Sequence, residues 1–293
     1  MTALGTPLLG RRQERTARLR RTARFWLARP GLVLSVLFIA LVLLAALRPG
    51  ALAGGDPLAG VPADRLRPPD GEHLLGTDQL GRDLFTRLVH GSSLTLRATA
   101  LAVLVGLVAG SLTGLVSGAA GGWADSVLMR LTDVLLAVPG LLLSLALVTA
   151  LGFGTVEVAV AVGVTSMAMF ARIMRAEVLR VSRTTYVEAA RAGGTRWYGV
   201  LLRHVLPNAA GPVLVYAAVD FGAVVLQVSS LSFLGYGARP PAPEWGSLVA
   251  GGRDYLATAW WLTTLPGLAL AATVLAANRI ARALDGEAKE SSP

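Results

Sequence analysis

The chain of 293 residues contains no cysteine, one lysine and three histidines. The absence of cysteine excludes a disulfide framework, thiolate metal sites and thiol nucleophiles. The only lysine, Lys289, follows no glycine-rich loop, so a phosphate-binding loop of the Walker type is absent. The chain therefore does not hydrolyse ATP with that machinery. Charged residues are scarce as well, at 15% against about 25% in ordinary soluble domains.

Apolar residues are abundant and occur in long blocks. They make up 54% of the chain, and the mean hydropathy is +0.59. A helix of about 20 apolar residues crosses the ~30 Å hydrocarbon core of a bilayer. The pattern predicts an all-α integral membrane protein with six transmembrane helices, the third of them kinked or interrupted near Pro139. The predicted spans are residues 31–47, 93–119, 127–151, 156–171, 209–234 and 255–280.

The first apolar block has two interpretations. A cleaved signal peptide is one, because Ala51-Leu52-Ala53 resembles a small-residue cleavage site. However, the basic head that precedes the block is long, and the apolar run exceeds the usual ~7–15 residues. We therefore expect a basic cytoplasmic N-terminus over residues 1–30 and an uncleaved first transmembrane helix over 31–53.

The arginines predict the orientation in the membrane. The net charge is +9, and the loop 172–207 alone carries seven arginines against two acids. The loops 48–92 and 235–254 are close to neutral. Because cytoplasmic loops carry the excess of arginine, both termini are expected in the cytoplasm of a multi-pass cell-membrane protein. The basic distribution is thus explained by the bilayer, and nucleic acid is not an expected partner.

The loop 172–207 is too long for a simple connection between two spans. Its sequence predicts a helix up to Ala192, a break at Gly193-Gly194 and a second helix over Trp197–Val205. Leu206-Pro207 is expected to stop that helix before the next span, since proline disfavours helix in the residue before it. A folded helical hairpin at the membrane surface costs ordering entropy, which suggests that a partner docks on it.

The same loop resembles a known motif. Glu188-Ala189-Ala190, then Gly194, then Leu206-Pro207 is similar to the "EAA…G…LP" motif of ABC importer permease subunits. The resemblance implies that this segment is the coupling helix that fits a groove on the ATP-hydrolysing subunit. Glu188 would pair with a basic group there, Gly194 would make the turn, and Leu206-Pro207 would set the angle into the fifth span. His204 stands where the wider family often has isoleucine.

Two further stretches resemble the dipeptide/oligopeptide/nickel branch of that family. Residues 73–87 (HLLGTDQLGRDLFTR) are similar to "HxLGTDxxGRDxxSR", with Thr86 in place of serine. Residues 231–246 (LSFLGYGARPPAPEWG) are similar to "LSFLGLGxxPPxPxWG" of the second, C-type permease, with Tyr236 in place of leucine. The candidate outer-face residues in these stretches are Gly76, Thr77, Asp78, Gly81, Arg82, Asp83, Phe233, Gly235, Gly237, Pro241, Trp245 and Gly246.

The resemblance implies a fold and a set of partners. The fold would be that of an ABC type I importer permease, with an extracytoplasmic loop at 54–92 leading into the second span, a permease core at 93–280 and a cytoplasmic tail at 281–293. Partners would be a homologous second permease, two ATP-binding subunits, an extracytoplasmic solute-binding protein and the lipid bilayer. The chain itself would be non-catalytic and bind no cofactor, with ATP and Mg on the partner ATPases.

Physical interpretations of the two outer stretches remain open. Asp78, Arg82 and Asp83 predict a tight, charge-paired turn before the second span. The proline-rich stretch that ends at Trp245 predicts a rigid cap at the outer mouth, or alternatively an interfacial loop with an aromatic anchor.

Charged and polar groups inside the spans are candidates for the translocation path, because such groups are costly in lipid. Asp220 has no obvious local partner and is expected to face a central cavity, with Gln227 seven residues on along the same face. Arg130 and Asp133 are expected to pair on one helix face. The stripe of glycines at 106, 110, 114 and 118 is interpreted as helix packing, or else as a surface that slides during gating.

These observations predict a permease subunit of an importer of di- or oligopeptides. A nickel or other metal-chelate importer permease is the alternative. An ion-coupled secondary transporter is less consistent, because it needs several acids in spans and the chain offers chiefly Asp133 and Asp220. A membrane enzyme has no support, since no His-Glu-x-x-His motif is present.

Overall fold

The computed structural model describes residues 29–290 and the side chains up to residue 283, and within that range it is helical with no strand. The basic head predicted over 1–30 lies outside the described residues up to position 28, and so do residues 291–293 of the tail. The α-helices are α1 (Pro30–Leu47), α2 (Leu84–Ala120), α3 (Gly122–Ala137), α4 (Gly140–Leu151), α5 (Thr155–Ser182), α6 (Thr185–Ala192), α7 (Trp197–Val200), α8 (Leu206–Phe233), α9 (Trp245–Gly252) and α10 (Trp261–Glu290). Leu201–Val205 is a π-helical turn that joins α7 to α8.

The prediction of six membrane spans agrees with the structure of residues 29–290. Five helical segments are long and apolar enough to cross a bilayer, and the number is six when the bent pair α3–α4 is counted as one span. α1 and α10 run in opposite directions, as the contact of Gly31 with Arg279 shows. α2 and α5 run in the same direction, since Gly110 lies beside Met167 and Gly114 beside Ala171. The membrane face with the segment Thr185–Val205, the start of α1 and the end of the α10 span is called the hairpin face below. The opposite one, with loops 48–83 and 234–260, is called the loop face.

The third span is interrupted where proline predicted it. α3 ends at Ala137, α4 starts at Gly140, and the two axes differ by 98°. Val138 is extended (φ −95°, ψ 132°), which is the conformation that a following proline imposes on its predecessor. The break is therefore a local consequence of Pro139.

Three predicted helix boundaries were wrong. α2 begins at Leu84 and not at residue 93, because Asp83 caps it by accepting from the Thr86 amide at 2.7 Å. α5 continues to Ser182, beyond the predicted end at 171, and this shortens the loop that was predicted from residue 172. α10 begins at Trp261 and not at 255. Apolar runs mark where lipid contacts a helix, and caps decide where the helix ends.

The glycine stripe of α2 packs against α5. A Cβ at Gly110 would overlap the carbonyl oxygen of Met167, and one at Gly114 would overlap that of Ala171. The two backbones therefore approach as closely as small residues permit, which supports the packing interpretation. α2 and α5 share the most extensive helix contact within the described residues.

Candidate functional site

The hairpin (Thr185–Val205) is held to the spans by buried valines. Val187 in α6, Val200 in α7 and Val205 in the π turn are each at most 2% exposed. They join the core cluster of Phe170, Met174, Val178 and Val181 on α5 and Ala209 and Val213 on α8. Burial of a valine stabilises by roughly 1.5–3 kcal/mol, so the hairpin is a fixed part of the fold and not a loose loop.

The turn between the two hairpin helices is a Schellman motif centred on Gly194. The amide of Thr195 donates to Ala190 O at 3.1 Å, and that of Gly194 donates to Arg191 O at 3.0 Å. Gly194 has φ +82°, a conformation in which side chains are strained. Nothing lies within 4 Å of the position where its Cβ would be, so the backbone angle alone requires glycine here. The prediction that Gly193-Gly194 breaks the helix is confirmed.

The outward surface of the hairpin is exposed and mixes charge with aromatic groups. Glu188 and Ala189 are exposed, and Ala190 is half-buried. Trp197 is 75% exposed although tryptophan is among the residues most enriched in protein interfaces. Other exposed side chains of the hairpin include Tyr186, Arg191, Arg196, Tyr198 and Leu202. Such a patch on an anchored element is typical of a docking surface.

The prediction that Leu206-Pro207 stops the second helix was wrong, since the chain is helical from Trp197 to Phe233. The π turn accounts for this. The amide of Leu206 donates to Leu201 O, five residues back, so the helix is one residue wider just before Pro207. The Asn208 side chain donates to His204 O at 2.6 Å, which satisfies a carbonyl in this widened turn. The hairpin is thus continuous with the fifth span.

His204 lies in the widened turn and contacts the other half of the hairpin. The centroid of its ring lies 6.4 Å from that of Tyr186 in α6. Leu206 is half-buried against the α5–α8 cluster, whereas Pro207 is exposed.

On the loop face, Asp78 organises the turn before α2. Its Oδ1 accepts from the amides of Leu80 (2.8 Å) and Arg82 (3.0 Å), and its Oδ2 accepts from Arg82 Nε at 2.7 Å. Gly76 and Gly81 have φ of +76° and +72°, which is why glycine is needed at both positions. Asp83 accepts from the amide and hydroxyl of Thr86 and contacts His73 Nδ1 at 3.1 Å. The predicted charge-paired turn is confirmed, and Thr77 is fully buried within it.

Arg87 joins three loop-face segments and was not predicted as a site residue. It is 5% exposed. Its guanidinium donates to Pro57 O at 2.8 Å and to Pro241 O at 3.5 Å, and its Nε is 3.4 Å from Asp78 Oδ2. Its sequence signal is the final arginine of the 73–87 stretch, four residues after the helix cap Asp83. Asp78, Arg82, Arg87 and residues 240–242 line a cavity of about 120 Å³.

The cap predicted at the outer mouth contains a helix that the sequence pattern missed. α9 is capped by Glu244, whose carboxylate accepts from the amides of Gly246 (3.1 Å) and Ser247 (3.2 Å). Thr95 on α2 donates to the same carboxylate at 3.1 Å. Glu244 is 1% exposed, and this burial raises its pKa above the usual value.

Trp245 is part of that packed cap. It is 3% exposed, and its Nε1 donates to Leu88 O at 2.9 Å. The alternative that Trp245 is an anchor in the membrane interface is therefore wrong, because its ring packs against α2. Gly246 has no room for a side chain beside Ser229, and Gly237 has none beside Ser232. Gly235 has φ +93° just after Phe233, the last and partly exposed residue of α8.

Asp220 has a local partner, contrary to the expectation from the sequence. The hydroxyl of Tyr216, one turn earlier on α8, donates to Asp220 Oδ1 at 3.4 Å, and Ser166 of α5 is a second polar neighbour. Its side chain is half-buried at the α5–α8 contact. Gln227 is also half-buried, with its amide group against Gly140 at the break of the third span.

The predicted pair Arg130–Asp133 does not form. Asp133 instead accepts from Arg172 of α5 at 2.5 Å. A second bridge of the same kind lies nearer the hairpin face, where Arg175 of α5 donates to both carboxylate oxygens of Asp125. Both bridges connect α3 to α5, because the acids of α3 face the arginines that extend α5 beyond its apolar part.

Comparison with known proteins identifies the family. The family described as "Binding-protein-dependent transport system inner membrane component" matches residues 106–289, which include the hairpin, α8, α9 and α10. The chain belongs to this family. It is thus a multi-pass membrane permease with several apolar spans.

Individual relatives cover most of the chain. It is 39% identical over 249 residues to the di/tripeptide transport system permease protein DppC of Pseudomonas aeruginosa, covering 83% of this chain and 82% of that protein. It is 38% identical to the probable D,D-dipeptide transport system permease protein DdpC of Escherichia coli, over 85% and 84% of the two chains. With the glutathione transport system permease protein GsiD of Pectobacterium atrosepticum the identity is 42%, over 73% and 72%.

A solved structure shows the same fold. An amino acid ABC transporter with histidines matches with a TM-score of 0.53 at 18% identity, covering 70% of this chain and 94% of the other. The predicted ABC permease fold is therefore confirmed.

Proposed function

We propose that this chain is the membrane-spanning subunit of an ATP-driven importer of short peptides. The relatives that cover most of its length are named for di/tripeptides, D,D-dipeptides and glutathione, all of them short peptides. The sequence stretches 73–87 and 231–246 support the same branch of the family.

The importer is an assembly in which this chain supplies half of the pore. A homologous permease pairs with it, two ATP-binding subunits hold ATP and Mg, and a solute-binding protein delivers the peptide to the loop face. The arginine distribution supports a cytoplasmic hairpin face, with both termini on that side.

The anchored hairpin is the observation that carries this function. Its exposed surface around Glu188 and Trp197 docks on an ATP-binding subunit, while Val187, Val200 and Val205 tie it to α5 and α8. When the ATP-binding subunits close, they displace the hairpin. Since α7, the π turn and α8 form one continuous helix, that displacement tilts the fifth span and changes which side of the membrane the path opens to.

Asp220 and Gln227 are the candidates for the wall of this path. They lie seven residues apart on one side of α8, and Gln227 lies at the break of the third span. In this role the Asp220 carboxylate binds the amino group of a peptide, and the Gln227 amide binds its backbone. On the loop face, the Asp78–Arg87 turn and the α9 cap form the surface that receives the solute-binding protein.

The test uses the turn of the hairpin. Gly194→Val places a branched side chain at φ +82° and is expected to abolish uptake of a labelled dipeptide and co-purification of the ATP-binding subunits, while membrane insertion persists. Gly193→Ala is the matched control, since Gly193 has φ −72° and an ordinary contact at its Cβ position. Full uptake by Gly194→Val, or accumulation of dipeptide without any ATP-binding subunit, would contradict the proposal.

A further inference from the structure

A groove between the first and last spans opens at the hairpin face. It is lined by Leu34, Ser35 and Phe38 of α1 and by Ala272, Leu275, Ala276, Arg279 and Arg282 of α10. Its volume is about 320 Å³, which is within the range of small-ligand sites. None of the functions proposed above uses this groove.

The chemistry of the groove changes from apolar to basic along its length. Toward the middle of the spans its walls are leucine, phenylalanine and alanine, and Leu34 and Leu275 are 67% and 66% exposed. At the membrane surface the wall consists of the two arginines, three residues apart on one face of α10. No acidic residue lines it among the described residues.

Arg279 is positioned by a glycine of the neighbouring helix. Its guanidinium lies directly against Gly31, so closely that a Cβ at residue 31 would overlap it. Gly31 is the second residue of α1, at the end of the span, where the polar headgroups of a bilayer begin. The guanidinium is therefore held at headgroup level, beside the mouth of the apolar part of the groove.

The second arginine remains available for a ligand. Arg282 uses its Nε toward Asn278 O at 3.3 Å, and its two terminal nitrogens have no partner among the side chains that the structure describes. Two guanidinium groups of this kind match the oxygens of a phosphate, and arginine forms bidentate pairs with phosphate.

We propose that this groove binds one anionic phospholipid. The phosphate is bound by Arg279 and Arg282, and an acyl chain lies between Leu34, Phe38 and Leu275. The charge of the arginines complements an anionic headgroup, and the apolar wall below them fits a lipid tail better than it fits free phosphate or a soluble ligand. Basic grooves between spans are a general mode of anionic lipid recognition.

The experiment measures lipid bound to the full-length chain, purified in mild detergent with the subunits that accompany it. Native mass spectrometry compares phosphatidylglycerol with phosphatidylcholine at equal concentration. We expect one phosphatidylglycerol to be retained with about a tenfold preference. In Arg279→Gln/Arg282→Gln the preference is expected to fall below about twofold, since each arginine near an anionic surface contributes roughly a fivefold effect.

Two further variants make the result specific. Arg65→Gln/Arg253→Gln removes the same charge from exposed arginines of the loop face and is expected to leave the preference unchanged. Gly31→Leu keeps both arginines but displaces the Arg279 guanidinium, and a fall of about fivefold is expected. Elution on gel filtration at the wild-type volume shows that each variant is folded.

Several results would overturn the proposal. Equal retention of both lipids by the wild type would mean annular lipid only. An equal loss of preference in the loop-face control would mean a diffuse charge effect. Displacement of the lipid by about 1 mM inorganic phosphate would mean a free-phosphate site. Because bound lipid is measured without transport, these outcomes do not depend on whether the chain imports peptides.

Discussion

Arg175 of α5 donates to both carboxylate oxygens of Asp125 of α3, at 2.5 and 2.6 Å, and Ser117 of α2 donates to the same carboxylate. Three helices therefore meet at one acid on the hairpin face. The pair is bidentate, the geometry in which arginine and a carboxylate interact most strongly. It ties one limb of the broken third span to the helix that leads into the hairpin.

Removing this link is expected to destabilise the protein. Asp125→Asn and Arg175→Gln should each lower the Tm, and the double variant should lower it by less than the sum, with a coupling energy of about 1 kcal/mol. Thermal unfolding followed by gel filtration measures the Tm of each variant, from which the coupling energy is obtained. The cycle of Asp133→Asn with Arg172→Gln is the comparison, and its coupling should be smaller because that pair is more exposed. Additive effects at Asp125 and Arg175 would refute the link.

Gly110→Ala is expected to destabilise by about 1–3 kcal/mol, because the added methyl group overlaps Met167 O and forces α2 away from α5. Gly211→Ala is the matched control. Gly211 lies in α8 with nothing within 4 Å of its Cβ position, so the same change should be neutral or stabilising by up to about 1 kcal/mol. If both substitutions shift the Tm alike, close packing does not explain the stripe.

Glu244 is expected to make stability depend on pH. Burial raises its folded pKa above the ordinary value of 4.5, so the folded state binds the proton more tightly than the unfolded state does. The stability contributed by protonation is complete below the unfolded pKa and is lost as the pH rises through the folded pKa. Unfolding measured across this window should show that slope in the wild type and not in Glu244→Gln.

The cap formed by Glu244 gives a second, separate expectation. Glu244→Ala removes the acceptor of the Gly246 and Ser247 amides and should cost about 0.5–2 kcal/mol at a pH below the unfolded pKa, as the loss of a helix cap does. Glu244→Gln retains an acceptor oxygen and should cost less. An alanine variant as stable as the wild type would show that the cap is dispensable.

Asp220→Asn is expected to raise the KM for uptake of a dipeptide with a free amino group about tenfold, since a hydrogen bond to a charged group is worth about 1.5–3 kcal/mol. An N-acetylated dipeptide should lose little. Tyr216→Phe is the control for a structural role, because it removes only the internal donor to Asp220. Equal effects on both peptides would place Asp220 outside the path.

The features that the sequence predicted well are those that depend on neighbouring residues. Apolar blocks predict spans, Pro139 predicts the break after Ala137, and Gly193-Gly194 predict the turn, because each acts on its own backbone. The hairpin motif could be assigned for the same reason, since its residues are close together in the chain.

The features that were missed depend on contacts between distant residues or on small changes of backbone geometry. Arg87 acts through Pro57 and Pro241, which are 30 and 154 residues away in sequence. The buried position of Trp245 depends on Thr95 and Leu88 of α2. The continuity of the helix through Pro207 depends on one widened turn, for which residue types alone give no signal.

The length of α2 has a mechanical consequence. At about 1.5 Å per residue its 37 residues reach roughly 55 Å, well beyond a hydrocarbon core of about 30 Å. One end begins inside the Asp78–Arg87 turn, and the part from Ala102 to Gly118 packs closely along α5, which runs directly to the segment before the hairpin. The two helices therefore move as one rigid unit across the bilayer. A displacement on one aqueous side is transmitted to the other without crossing a flexible joint.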